Sequence, residues 1–182
     1  TIAEPGVIEH TGGPTSFTFG ELDGERSKRA EEFLKLCERT DGMDAVLSES
    51  IQTELWEKAA FICAHAGMTA TARLPLGDIR DQQESWEMYR RIIEEVCRVG
   101  RATGIELPEG TVGEWMEFAD DLEGDSYSSL HYDMTHGKTM ELEALHGTIV
   151  REGRENDVTV PMTEAVYAIL KPWSERNNQT TD

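Results

Sequence analysis

The chain has 182 residues and carries 36 acidic against 17 basic side chains, a formal net charge of -19 at pH 7. That length suffices for one domain with a real core, or for a domain plus part of another. A surface this negative repels nucleic acid and anionic membranes, and no window approaches the roughly 18 unbroken apolar residues of a membrane span, so neither partner class is expected.

Residues 1–50 read differently from the rest, as short strands and a helix. Gly6-Val7-Ile8-Glu9-His10 and Ser16-Phe17-Thr18-Phe19-Gly20 alternate like strands, and Thr11-Gly12-Gly13-Pro14 between them is hairpin punctuation. Glu21-Leu22-Asp23-Gly24 makes a turn. Ser27 then caps a helix with Ala30, Phe33, Leu34 and Cys37 on one face, and Met43-Asp44-Ala45-Val46-Leu47 is another short strand. The order strand, strand, helix, strand belongs to the trailing edge of an α/β domain.

Residues 51–173 read as a helical domain. Ser50 and Glu54 bracket a helix start, after which Ile51, Leu55, Ala59, Ile62, Cys63, Ala66 and Ala70 keep helical spacing. Small residues at Ala59, Ala60, Ala64, Ala66, Gly67 and Ala70 let neighbours approach closely and point to a central, buried helix; Pro75 and Gly77 end it. A second helix is expected from about Asp81 to Arg101, with Trp86, Tyr89, Ile92, Ile93, Val96, Cys97 and Val99 inward and Gly104 as its stop. A third starts after Pro108-Glu109-Gly110-Thr111, and others cover about 128–135, 139–155 and 161–171. Residues 174–182 are polar and read as a disordered tail. The fold class expected is therefore mainly α.

Lysines are few (Lys28, Lys35, Lys58, Lys138, Lys171), and arginine supplies most of the positive charge. An acidic, lysine-poor surface suits work at high salt, where screening removes self-repulsion. No basic stretch followed by an apolar run opens the chain, so no secretory signal is visible and a cytoplasmic location is expected. Thr1 is not an initiator methionine, and the start reads as the remnant of a longer protein. Cys37, Cys63 and Cys97 lie far apart in apolar helix patterns without a CxxC, which reads as buried thiols.

Lys58 stands one turn after Glu54, and an i,i+4 pair on a solvated face is the commoner reading of such a lysine. Its place between Trp56 and Ala59 offers another: a part-buried lysine with a lowered pKa, usable as a proton donor. Ser128-Ser129 is either a helix N-cap or, with the helix N-terminus, a carboxylate site. Glu141 is one acid among many, most of which solvate the surface. His131, His136 and His146 with Asp133 invite a metal, yet a spacing of five from His131 to His136 does not put both imidazoles on one helical face. No metal is expected. The chain has no GxGxxG, Walker A or GxSxG motif, and Gly12-Gly13 and Gly20 form no phosphate cradle.

Taken together, Ile51…Leu55-Trp56-x-Lys58, Ser128-Ser129…Asp133, Lys138-Thr139-x-Glu141 with Gly147, and Val160-Pro161…Tyr167-x-x-Leu170 resemble the ketopantoate reductase (2-dehydropantoate 2-reductase) family. The similarity runs from Gly6-Val7-Ile8 to about Trp173, Phe19-Gly20-Glu21-Leu22-Asp23-Gly24 looks like the end of that family's first domain, and the resemblance makes residues 1–50 the trailing strands and helix of a Rossmann-type domain. The resemblance implies an oxidoreductase that reduces a 2-oxo acid, ketopantoate, to a 2-hydroxy acid with NADPH, on the way to pantothenate and coenzyme A. It implies a Rossmann domain followed by an all-helical C-terminal domain of the 6-phosphogluconate-dehydrogenase-like type. By position it makes Lys58 the proton donor to the developing alkoxide, Ser129 the holder of the substrate near its carboxylate, and Glu141 the acid that contacts the cofactor. A cation at the carbonyl oxygen would stabilise charge building in the transition state.

The chain departs from the family pattern at two places. Four and eight residues after the lysine the family has asparagines that bind polar groups of the substrate; here stand Ile62 and Ala66. Either the hydroxyl of ketopantoate is held otherwise, with His65 as a nearby polar group that compensates, or the substrate lacks that hydroxyl, which explains the change better. The glycine-rich loop and the strands that hold the dinucleotide lie upstream of the family's equivalent of Thr1, so NADPH would be bound mainly by a Rossmann half supplied in cis or in trans. A homodimer is a further candidate assembly. The rival readings are a non-catalytic helical module that binds a partner or dimerises, and a related 2-oxoacid or opine-type dehydrogenase.

Overall fold

The computed structural model describes residues 2–10 and 16–179, and the chain divides into two compact units, Thr1–Gln52 and Thr53–Asp182.

In the first unit, β1 (Ile2–Glu4) and β2 (Val7–Ile8) form an antiparallel ribbon. β3 (Ser16–Phe19) pairs in parallel with β4 (Asp44–Leu47), from Ser16 opposite Asp44 to Phe19 opposite Leu47, and α1 (Lys28–Cys37) is the crossover between them. The hairpin expected between residues 6–10 and 16–20 is thus not the pairing found, and its proposed turn at Thr11–Pro14 lies outside the described residues. The reason is the aromatic side of α1. Phe33 meets Phe19 edge-on at 4.9 Å and Phe17 at 5.9 Å, which fastens the helix over β3 and brings β4 alongside in the parallel sense that a helical connection permits. Ser27 caps α1 as its sequence suggests, accepting from the Ala30 N–H at 3.2 Å. Its hydroxyl donates to Glu21, whose carboxylate Arg29 also grips; Arg29 first, then Ser27, hold that carboxyl down at about 2.

In the second unit, α2 (Ile51–Ala72) is the central helix: its eight consecutive residues Cys63–Ala70 are all buried. Around it come α3 (Leu76–Arg80), α4 (Gln83–Ala102), α5 (Thr111–Asp121), α6 (Ser129–Thr135), a π-helical turn at Glu143–Gly147, α7 (Thr148–Glu155) and α8 (Pro161–Gln179). The inward face of α4 is the one its periodicity gives, with Tyr89, Ile92, Ile93, Val96, Cys97 and Val99 buried. Gly67 explains how close the neighbours come. A Cβ there would lie 2.6 Å from His146 Nε2 and 2.9 Å from Val166 Cγ1, so the π turn and α8 both rest on α2 at this glycine. Glu95, buried on α4, accepts from the Met162 and Thr163 N–H groups at 2.9 and 2.8 Å and from the Thr163 hydroxyl at 2.7 Å. It thereby satisfies the free donors at the start of α8 from a different helix.

Two boundaries differ from the sequence reading. The helix expected over 139–155 is broken by the π turn, which inserts an extra residue, swings His146 into the core and lets α7 begin only at Thr148. At the far end, residues 174–179 are not a disordered tail but the last turns of α8, with Ser174 and Asn177 buried. Asn177 Nδ2 faces the carbonyls of Asp133, Met134 and Lys138 at 3.3, 3.3 and 3.0 Å, closing the exposed end of α6. In the sequence such a side chain looks solvent-facing, whereas here it satisfies backbone acceptors. Residues 180–182 lie outside the described part.

Cys37, Cys63 and Cys97 are free and buried, and burial pushes the Cys63 thiol up to about 12 and that of Cys97 to about 11. Among the described residues no helix is long and apolar enough to cross a membrane.

Candidate active site

Three segments of the helical unit enclose a cleft of about 320 Å³: α2 through Ile62, His65 and Ala66, the approach to α6 through Tyr127, Ser128 and Ser129, and the turn around Glu141 and Leu145. The walls are held together by one buried relay. Thr69 Oγ1 lies 2.7 Å from the His65 carbonyl and 2.8 Å from Ser128 Oγ. A hydroxyl has a single proton, so Thr69 gives its own to the carbonyl and accepts that of Ser128. Ser128 Oγ in turn accepts the His131 N–H at 3.1 Å, which caps α6. Ser128 is therefore occupied by structure. The two serines of the pair divide: Ser129, exposed at the first residue of α6, is the one whose hydroxyl is left over.

The acids divide in the same way. Glu143 takes a hydrogen bond from the Tyr167 hydroxyl at 2.7 Å, an ion pair with Lys171 and another with Arg151 at 3.2 Å. Lys171 foremost, then Tyr167, holds that carboxyl below its usual range. Glu141, two residues earlier, is exposed, lines the cleft and has no ion pair among the described residues. Its carboxylate remains open to a ligand.

His65 is only 8% exposed and stacks on Phe61, ring centroids 5.5 Å apart and planes within 10°. Its Nδ1 is buried without a partner, and burial pulls the pKa below its ordinary value. Its ring forms part of the cleft wall.

Lys58 does not line the cleft. It sits one helical turn before Ile62, about 6 Å along the axis of α2. The part-buried setting suggested by its apolar neighbours is not found: Lys58 is exposed, because Gln52, Leu55 and Lys58 form the open stripe of α2, and after Ile51 no residue of the helix is buried again until Ala60. The Glu54 pair is not found either; among the described residues Lys58 has no ion pair. The structure thus brings Ser129 and Glu141 together and leaves an unpaired ammonium one turn away. The histidines weighed for a metal go to separate places. His131 stacks on Tyr127, His136 stacks on Tyr132, and His146 is buried with Nε2 2.9 Å from the Cys63 carbonyl. Among the described residues no three potential ligands converge.

The relay from His65 through Thr69 to Ser128 was not visible in the sequence, since it joins residues 59 apart. Leu145 and Tyr127 were missed as well, and only the proximity of Leu145 to Glu141 hinted at the former.

The family described as ketopantoate reductase PanE/ApbA, C terminal, matches residues 50–174. The chain belongs to the ketopantoate reductase family. The helical unit accordingly corresponds to the helical C-terminal domain of that family. An uncharacterized oxidoreductase of Bacillus subtilis, YkpB, is 32% identical over 92% of this chain and 55% of its own length. The 2-dehydropantoate 2-reductase of Halobacterium salinarum is 27% identical over 92% of this chain and 54% of its own. Among solved structures, a dimeric ketopantoate reductase from Staphylococcus aureus superposes with a TM-score of 0.82 at 24% identity, over 91% of this chain and 55% of that one. A D-mandelate dehydrogenase in complex with NADH and anilino(oxo)acetate gives 0.75 at 19%, over 90% and 53%. The chain spans about half the length of the relatives it matches.

Proposed function

We propose that this chain carries the substrate-binding and proton-donating half of a nicotinamide-dependent reductase that converts a 2-oxo acid into a 2-hydroxy acid. The observation that supports this most is the convergence of Ser129 and Glu141 on one cleft, a single helical turn from the unpaired ammonium of Lys58.

Each residue has a role its setting suits. Ser129 donates its hydroxyl proton to a carboxylate oxygen of the substrate and fixes which end enters. Lys58 presents its ammonium to the carbonyl oxygen; as the carbonyl carbon gains a hydride, that oxygen takes a proton from Lys58 and the hydroxy acid leaves neutral at that atom. Glu141 would contact the cofactor, where its open carboxylate can accept from hydroxyl groups. The described residues offer no glycine-rich strand-to-helix turn to cradle a pyrophosphate, so this chain fits one margin of NADPH and a Rossmann half, in cis or in trans, holds the remainder. When bound, NADPH supplies the hydride. Ketopantoate, reduced to pantoate for pantothenate and coenzyme A synthesis, is the family's reference substrate. The assembly we assign is a homodimer working in the cytoplasm.

Joining the chain to the N-terminal half of the Bacillus subtilis relative and following NADPH oxidation with a panel of 2-oxo acids tests this reading. Turnover of at least one acid is expected. A folded fusion that oxidises NADPH with none of them overturns it and favours the non-catalytic helical module.

A further inference from the structure

The polarity of the cleft is uneven, and that carries the argument. The side of α2 that lines it consists of Ile62, half-buried, Ala66, buried, and His65 between them. Ile62 and Ala66 have no side-chain hydrogen-bonding atom. His65 stacks flat on Phe61 and buries Nδ1, so its ring adds a largely flat surface to this side. Leu145 contributes another branched aliphatic side chain to the lining. Ser128, the remaining buried hydroxyl, is engaged by Thr69 and His131. Ser129, Glu141 and Tyr127 are the exposed polar residues of the lining; Ser129 is needed for a carboxylate that Glu141 would repel, whereas the side chains of Ile62, Ala66 and Leu145 offer only carbon.

We infer that this cleft selects 2-oxo acids whose side chain is apolar and carries no hydroxyl, a branched aliphatic or phenyl group lying between Ile62, Ala66 and Leu145. The inference rests on the 2-oxo acid reading above and narrows it. A hydroxyl on a substrate side chain lying against Ile62, Ala66 and Leu145 leaves water for side chains that offer it no partner. An apolar group gains contact with Ile62 and Leu145 for each carbon it buries. A lining volume of about 320 Å³ lies at the small end of ordinary ligand sites and admits a group of that size.

The test is a titration of the 182-residue chain followed by backbone amide shifts, with phenylpyruvate, 4-methyl-2-oxopentanoate, ketopantoate and pyruvate as the probes. The two apolar acids are expected to shift the amides of Ile62, Ala66 and Leu145 and to bind at least about tenfold more tightly than ketopantoate. In the I62N variant, with its fold checked by circular dichroism, that preference should shrink or reverse. Ketopantoate binding as tightly as the apolar acids, or a preference unchanged in I62N, overturns the inference and leaves the reductase reading standing. A cleft that none of the four acids perturbs overturns both.

Discussion

The hydroxyls of Thr69 and Ser128 lie 2.8 Å apart in the buried seam between α2 and α6. Through that bond the cap of α6 is fastened to the backbone of the helix that carries Lys58, so the serine and lysine sides of the site are held by one relay. Removing either member disturbs the other. Ser128→Ala is expected to cost about 1 kcal/mol as a lost cap, and Thr69→Val about 1–3 kcal/mol by leaving the Ser128 hydroxyl without its acceptor. In urea unfolding the double variant should lose less than the sum of the two. Strict additivity would show that the two hydroxyls are not coupled.

Gly67→Ala should destabilise the helical unit. The added methyl would sit 2.6 Å from His146 Nε2 and 2.9 Å from Val166 Cγ1, both on fully buried side chains that have little room to give. Overpacking of this kind costs about 1–3 kcal/mol. Thermal unfolding measures it, and an unchanged midpoint would mean that α2, the π turn and α8 are not packed as described.

Burial holds the His146 pKa down to about 4 from an ordinary 6.5. Between those values the unfolded chain binds a proton that the folded one does not. The contribution of this histidine to stability is therefore complete above pH 6.5 and is lost as the pH falls toward 4, on the order of 3 kcal/mol over the window. Comparing the pH slope of unfolding in the wild type and in His146→Gln isolates this effect, because the carboxylates titrate alike in both. Equal slopes between pH 4 and 6.5 would contradict it.

Most of the helical unit was legible because helical periodicity is a local property. The buried faces of α2 and α4 follow from the spacing of Ala60, Cys63, Ala64, Tyr89, Ile92 and Val96, and Ser27 and Ser128 announce the caps they make. What was not legible depends on distant partners. The parallel pairing of β3 with β4 depends on Phe33 of α1, and the last turns of α8 depend on carbonyls at the end of α6 that Asn177 reaches. In the site, the motif placed Ser129 and Glu141 on one cleft. The exposure of Lys58 depends on which stripe of α2 is covered, and this the residue pattern around Trp56 and Ala59 misjudged.

The acid excess should appear in salt dependence. With a formal charge of -19 at pH 7, self-repulsion opposes folding wherever it is unscreened. Raising KCl from millimolar to molar is expected to add about 1 kcal/mol, seen as a midpoint higher by roughly 3 °C. Full stability in low salt would remove high-salt adaptation from the account.

The most direct measurement is the steady-state kinetics of Lys58→Ala in the chain joined to a dinucleotide-binding half. Because Lys58 is exposed and unpaired, the substitution should change stability by less than about 0.5 kcal/mol. Its effect should fall on turnover: kcat for the preferred 2-oxo acid is expected to drop about 100-fold or more, with KM little changed. A loss of tenfold or less in an otherwise active enzyme would show that the proton reaches the carbonyl oxygen from another group.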